Sequence, residues 1–321
     1  MKIAGLQLAL CLSLHVVAGA AWPQGYPVKP VRMVLALGGG AEIAARALGE
    51  KLTASMGQPF IVEAMPGAGG AVGAETVARA APDGYTILLA TPNTHVYRPY
   101  IVKNMTYDPV RDFTPIVKFT DTISSVVVSS SFPVNTLAEL IDYARKYPGK
   151  LSYGSTGIGT GHHLNLEQMM QLTGVNIVHV PYKGGNQQNQ DLVGGQVPAG
   201  GAILGTVTPL VKAGKVRVLA ITSSKRYKVM PDVPTVAEVI PGFEGLLGWM
   251  GYFGPAGLPQ PLVQRLHGEI SAALNDAALK DKLEAIGFVV DVQPPAVLAD
   301  IVRRDLAVAG KLAQRAGVKP E

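Results

Sequence analysis

Val31-Arg32-Met33-Val34-Leu35-Ala36-Leu37-Gly38-Gly39-Gly40-Ala41-Glu42 is an apolar strand that runs into three glycines and then a helical stretch reaching about Met56. Leu151-Ser152-Tyr153-Gly154-Ser155-Thr156-Gly157-Ile158-Gly159-Thr160-Gly161 repeats that design ahead of a helix beginning near His162. The first copy continues with a strand at 60–63, the turn Pro66-Gly67-Ala68-Gly69-Gly70, a helix and a strand at 85–90. The second continues with a strand at 176–180, the turn Tyr182-Lys183-Gly184-Gly185, a helix and a strand at 199–204. Apolar strands alternating with helical periodicity predict an α/β fold of two similar lobes, each with a parallel sheet. Glycine loops at the strand ends would line a cleft with backbone N–H groups, an arrangement suited to a small anion. The same glycines are also what tight βα turns in a packed sheet require, and short glycine motifs are weak alone.

The start of the chain reads as an export signal over residues 1–20. Lys2 precedes the apolar run from Ile3 to Val17, and Ala18-Gly19-Ala20 fits a small-residue cleavage site. The run is too short and too interrupted, by Ser13 and His15, to span a bilayer, so no stable membrane insertion is expected. Cys11 is the only cysteine and lies in the segment to be removed. That leaves no disulfide, thiol nucleophile or cysteine-bound metal. The net charge of +5 comes from scattered basic residues rather than a stripe, which argues against nucleic acid.

Two further stretches suggest how the lobes join. Ser124–Ser130 is rich in β-branched residues and leads through Phe132-Pro133 to a helix at 136–146. Trp249–Phe253 leads through Gly254-Pro255-Ala256-Gly257 to a helix at 261–274. Both read as antiparallel crossovers whose small dihedral changes would hinge one lobe against the other. The expected division is 21–122 with 250–321 in one discontinuous lobe and 123–249 in the second.

These segments together resemble the periplasmic substrate-binding proteins of tripartite tricarboxylate transporters, the Bug family. The resemblance spans the chain after the signal. It rests on Tyr26-Pro27-Val28-Lys29-Pro30, Pro66-Gly67-Ala68-Gly69-Gly70, Ala81-Pro82-Asp83-Gly84-Tyr85 and Tyr107-Asp108-Pro109-Val110-Arg111-Asp112-Phe113. It continues in Val178-His179-Val180-Pro181-Tyr182-Lys183-Gly184, Pro231-Asp232-Val233-Pro234-Thr235 and Gly254-Pro255-Ala256-Gly257. It implies a type II Venus-flytrap protein, monomeric and non-enzymatic, without cofactor or metal. Such a protein captures a small carboxylate in the periplasm for a two-component membrane permease.

On that basis the ligand-binding candidates are Gly38, Gly39, Gly40, Ala41, Glu42 and Thr91 from one lobe. From the other they are Ser155, Thr156, Gly157, Gly159, Thr160, His163, Tyr182 and Lys183. His163 stands where the family commonly has His, and is expected to orient the loop by hydrogen bonding. Departures from the family pattern are equally clear. The first loop lacks prolines and is one residue shorter, Glu42 stands at an Asp position, and Ala64-Met65 replaces a frequent Asn-Arg. Ala202 stands where many relatives carry Asp. These changes point to a more apolar cleft, with Leu37 and Met65 facing the ligand body or the core.

Two other outputs compete. A sensor kinase could read the closed lobes in place of a permease. A nicotinamide-dependent enzyme would use Gly38 and Gly40 with Glu63 on the ribose, but Ile43 stands at the last glycine of that fingerprint. His163 and Glu167 share a helix face, yet two ligands make a poor metal site.

Overall fold

The computed structural model describes residues 25–36, 40–65, 67–285 and 288–320. The expected signal segment and Leu37, Gly38 and Gly39 lie outside them. The chain opens with β1 (Val31–Leu35), α1 (Gly40–Met56), β2 (Phe60–Ala64), α2 (Ala71–Ala78) and β3 (Thr86–Ala90). A π-helical turn at Asn93–Tyr97 runs into α3 (Arg98–Ile101), then β4 (Phe113–Thr122) and β5 (Ser124–Ser129). Next come α4 (Leu137–Lys146), β6 (Ser152–Ser155), α5 (Gly161–Thr173), β7 (Val178–Pro181) and α6 (Gly185–Val193). They are followed by β8 (Ala199–Ile203), α7 (Leu204–Lys212), β9 (Val216–Ile221) and α8 (Val236–Val239). The chain ends with β10 (Gly248–Pro255), α9 (Gln260–Leu274), α10 (Ala277–Ala285), β11 (Phe288–Gln293) and α11 (Pro295–Arg315).

The strands form two sheets, ordered β11-β4-β10-β3-β1-β2 and β7-β6-β8-β5-β9. Each keeps a parallel nucleus: β1 pairs with β2 and β3, and β6 with β7 and β8. β3 is buried at every residue, as a strand covered on both faces must be. Neither sheet is wholly parallel, however. β10 runs antiparallel between β3 and β4, and β5 runs antiparallel between β8 and β9.

The lobes are joined by two crossovers, but the stretches read as crossovers do not pair with each other. β5 is the fourth strand of the second sheet, while β10 pairs with β4, a strand that alternation did not reveal. The first crossover is a single residue, Ile123, between β4 and β5. Its carbonyl accepts the Leu204 N–H at 2.7 Å. The second passes through 222–247 from β9 into β10.

Local rules explain most elements. In α4, Leu137, Leu140, Ile141 and Ala144 are buried at helical spacing, and Thr136 caps it by accepting from the Glu139 N–H at 3.1 Å. α8 opens with a capping box between Thr235 and Glu238. α5 stops at Gly174, which takes a left-handed conformation at φ 68°.

The β4–β10 pair has no room where the crossover begins. A Cβ on Gly248 would lie 1.8 Å from Thr122 Oγ1 and 2.9 Å from its carbonyl oxygen. Gly248→Ala is expected to lower unfolding free energy by about 1–3 kcal/mol in urea titration, the usual cost of overpacking. Gly268, inside α9 with nothing within 4 Å of an added Cβ, is the control. Gly268→Ala should instead stabilise by up to about 1 kcal/mol.

Candidate functional site

The helix N-termini of both lobes lie at the carboxyl ends of the parallel strands, where open α/β sheets bind ligands. Among the described residues, α2 after Gly70, α5 after Thr160, α6 after Gly184 and α7 after Ile203 start without a side-chain cap. Gly70 is required at its position: it sits at φ 93°, and a Cβ would lie 2.8 Å from Thr94 Cγ2 and 2.9 Å from Ala36 Cβ. An uncapped N-terminus leaves first-turn N–H groups for a ligand.

The loop between β6 and α5 is held by its own side chains. Ser155 Oγ lies 2.7 Å from His179 Nε2 and accepts the Gly157 N–H at 3.1 Å. Thr160 Oγ1 donates to the Gly157 carbonyl at 2.7 Å instead of capping the helix. Thr156 Oγ1 meets His162 Nδ1 at 3.0 Å, and the Gly159 N–H donates to His163 Nδ1 at 2.9 Å. The sequence-read hydroxyls of Ser155, Thr156 and Thr160 thus shape the loop, and Gly157 and Gly159 spend their amides inside it.

That loop meets the segment following β3. A Cβ on Gly159, itself at φ 72°, would fall 1.9 Å from Ile101 Cγ2, and one on Gly161 would fall 2.5 Å from the Tyr97 hydroxyl. The π-helical turn and α3 therefore press against the mouth of the second-lobe loop. Sequence reading did not single out Tyr97, Arg98 or Ile101; a single π turn carries no periodic signal, though such turns recur at functional sites. Arg98 is in the same segment, with Nη1 3.6 Å from where a Gly69 Cβ would be.

The remaining candidates are placed as follows. Gly40 is the first residue of α1, and Ala41 is buried in the adjoining core. Glu42 bonds Arg46 on its own helix at 2.6 Å. Thr91 is buried at the end of β3, and its hydroxyl has no hydrogen-bond partner among the described residues. Tyr182 donates to Asp191 at 2.9 Å, and burial, then that carboxylate, pushes its phenol up to about 12. Lys183 is exposed. Met65 packs on the core that holds Val34 and Trp249, and Ala202 is buried in a core of the second lobe.

Burial holds the site's histidines neutral. His162 and His179 are lowered to about 4 by burial, and His163 to about 4 by burial and then by His179. His95, enclosed by Phe113 and Phe253, is lowered to about 3.

Two α/β lobes joined by two crossovers, with helix N-termini at the carboxyl ends of their parallel strands, define a bilobal type II binding protein. Residues 44–318 match the family described as "Tripartite tricarboxylate transporter family receptor". The chain belongs to that family, whose members are solute-binding proteins of the periplasm rather than enzymes. Among solved structures it is similar to Rpa4515 of R. palustris, determined with adipate. The identity is 33%, the TM-score 0.83, and 92% of this chain and all of that one are covered (100%). It is also similar to the periplasmic binding protein BugD, at 34% identity and TM-score 0.79 over 92% and 100% of the two chains. A third is MatC of Rhodopseudomonas palustris with bound malate, at 32% identity and TM-score 0.77 over 90% and 100%.

The lowered histidines set a pH dependence. An unfolded chain takes up protons on His95, His162, His163 and His179 near pH 6.5, and the folded one only near pH 3 to 4. Between those limits the unfolded state binds more protons, so stability falls as pH falls. Denaturant midpoints should drop from pH 6.5 to pH 4 and change little from pH 7 to 8. His162→Gln should flatten the acid slope by about one proton.

Proposed function

We propose that this protein is a periplasmic receptor that closes its lobes on a small carboxylate and hands it to a two-component membrane permease. The observation that carries the reading is the contact of the uncapped α5 N-terminus, through Gly159 and Gly161, with the segment at 97–101. A carboxylate taken out of water needs donors, and N–H groups at helix starts supply them with a favourable dipole. The proposed lobes are 21–122 with 250–321, and 123–249, the first 20 residues serving as export signal.

In this reading the backbone of Gly38, Gly39, Gly40 and Ala41 contributes donors from one side, and the first turn of α5 contributes them from the other, with Gly157, Gly159 and Thr160 shaping the loop through amides already bonded within it. Thr91 has a free buried hydroxyl to offer. Glu42, turned back to Arg46, sits at the edge rather than against the ligand's charge. Adipate in one relative and malate in another support a ligand of this class.

A thermal-shift panel of adipate, malate, citrate, glutamate, nicotinate and benzoate tests the proposal. A ligand at a hundred times its dissociation constant stabilises by about 2.7 kcal/mol, a shift easily seen. One clear hit is expected, and a well-folded protein that ignores the whole panel would sink the carboxylate reading. Gly159→Ala, which cannot close without displacing Ile101, should weaken the hit at least tenfold while the fold survives (~10-fold is about 1.4 kcal/mol).

A further inference from the structure

His179, on β7, carries no role in the reading above, yet it is the piece on which the second-lobe loop is built. Its ring stacks on His163 at 4.1 Å between centroids and 13° between planes, and on its other side against Tyr153 at 4.9 Å and 23°. Its Nε2 lies 2.7 Å from Ser155 Oγ. We propose that His179 is a positioning residue for the ligand-binding loop. It acts through Ser155 and through the stacked ring of His163, without itself touching ligand.

The argument runs through two amides. Ser155 Oγ, fixed by His179, accepts the Gly157 N–H at 3.1 Å and donates to the Gly157 carbonyl at 3.1 Å. That sets the first bend of the loop, where Gly157 takes φ 134°. The second amide is that of Gly159. A backbone N–H can only donate, so His163 Nδ1 must be unprotonated to accept it. The neutral His163 ring then carries its proton on Nε2, which faces Glu167 Oε1 at 3.6 Å.

A doubly protonated His163 would aim an N–H at the N–H of Gly159 and release the loop. Stacking by His179 opposes that state twice. It covers one face of the ring from water, and its own charge would repel a second imidazolium 4.1 Å away. The other titratable groups against the pair are Tyr153, from β6, and Glu167, from α5. They bond each other at 2.8 Å, with burial raising both above their ordinary values. His162, the neighbouring residue on α5, bonds Thr156 instead.

The inference rests on the reading that residues 155–161 bind the ligand, so the test separates the two. In ligand-free full-length protein, amide hydrogen exchange at Gly157 and Gly159 reads loop positioning directly. His179→Ala should speed exchange at both amides at least tenfold while the Val127 amide of β5 stays as protected as in the parent. His163 should also titrate at higher pH in that variant, read from its imidazole nitrogen shifts, because the neighbouring ring no longer opposes its charge. His179→Gln can still reach Ser155 but cannot stack. It should restore protection at Gly157 and leave Gly159 and the His163 titration as in His179→Ala. With adipate as probe, calorimetry should show the affinity of His179→Ala reduced about tenfold.

Unchanged protection at both glycines in the two variants, with an unmoved His163 titration, would overturn the proposal. If His179→Ala does not fold, His179→Gln decides by the same amides. Parent protein that binds no adipate, with exchange behaving as expected, would count against adipate as ligand and leave the positioning role standing.

Discussion

The antiparallel ladder between β4 and β10 is the constraint on which the rest of the molecule depends. It pairs Thr122 with Gly248 at one end and Phe113 with Pro255 at the other, so the chain between must leave the first sheet and return to it. The ladder holds because β10 is pressed from both faces with strict alternation. Met250 and Tyr252 enter one core beside Val117 and Phe119, while Trp249 and Phe253 enter the other beside Phe113 and Leu298. Glycines fall where neighbours come closest: Cβ atoms on Gly251 and Gly254 would lie 2.8 Å and 2.7 Å from side chains of Leu298 and Leu258.

From that ladder the site inherits its placement. Trp249 donates to Asp305 at 3.0 Å, and Arg304 also holds that carboxylate, so α11 is fastened across the first sheet. Burial raises the Asp305 carboxyl against the opposing pull of Arg304 and Trp249, a sign that the bonds are needed to keep it there. α11 shares its core with Leu164 of α5 and with Tyr97. Asn165, the next residue on α5, exchanges hydrogen bonds with the Leu246 amide and carbonyl at 2.7 and 3.0 Å. A helix of the second sheet is thus seated against the first, and its N-terminus is aimed at the turn at 93–97.

The architecture was legible wherever period and punctuation agreed. β1, α1, β2 and β3, and their counterparts β6, α5, β7 and β8, follow from apolar runs, glycine turns and helical spacing. β4 was not legible: Phe113–Thr122 mixes Pro115, Lys118 and Asp121 into its run, and Lys118 is buried only because Asp121 and Asp291 meet its ammonium. Such a partner arrives from β11, far along the chain, and no local pattern announces it. The site divides in the same way. Ser155, Gly157, Gly159 and His163 stood out as types in a glycine loop, but His179 looked like one more residue of a short strand. Its significance appears only when β7 lies beside β6 and brings the two rings together.

None of the charges singled out from the sequence is a buried, unpaired group waiting for an opposite charge. Lys183 is exposed, Glu42 is matched by Arg46, and the buried histidines are neutral above about pH 4. Oriented N–H groups must then carry much of a carboxylate's stabilisation, and their strength depends on being held in place before the ligand arrives. A loop that sagged in the open state would have to be ordered at the moment of binding, subtracting from affinity. Closure adds a second demand, because a ligand shifts the equilibrium only by contacts it makes better in the closed state than in the open one. Gly159 and Gly161 meet the facing segment with no space for a side chain, so this arrangement tolerates little variation in the loop. On the proposed reading, the bonding of residues 155–161 by Ser155, Thr160 and the two stacked histidines would be a condition of selectivity as well as of affinity.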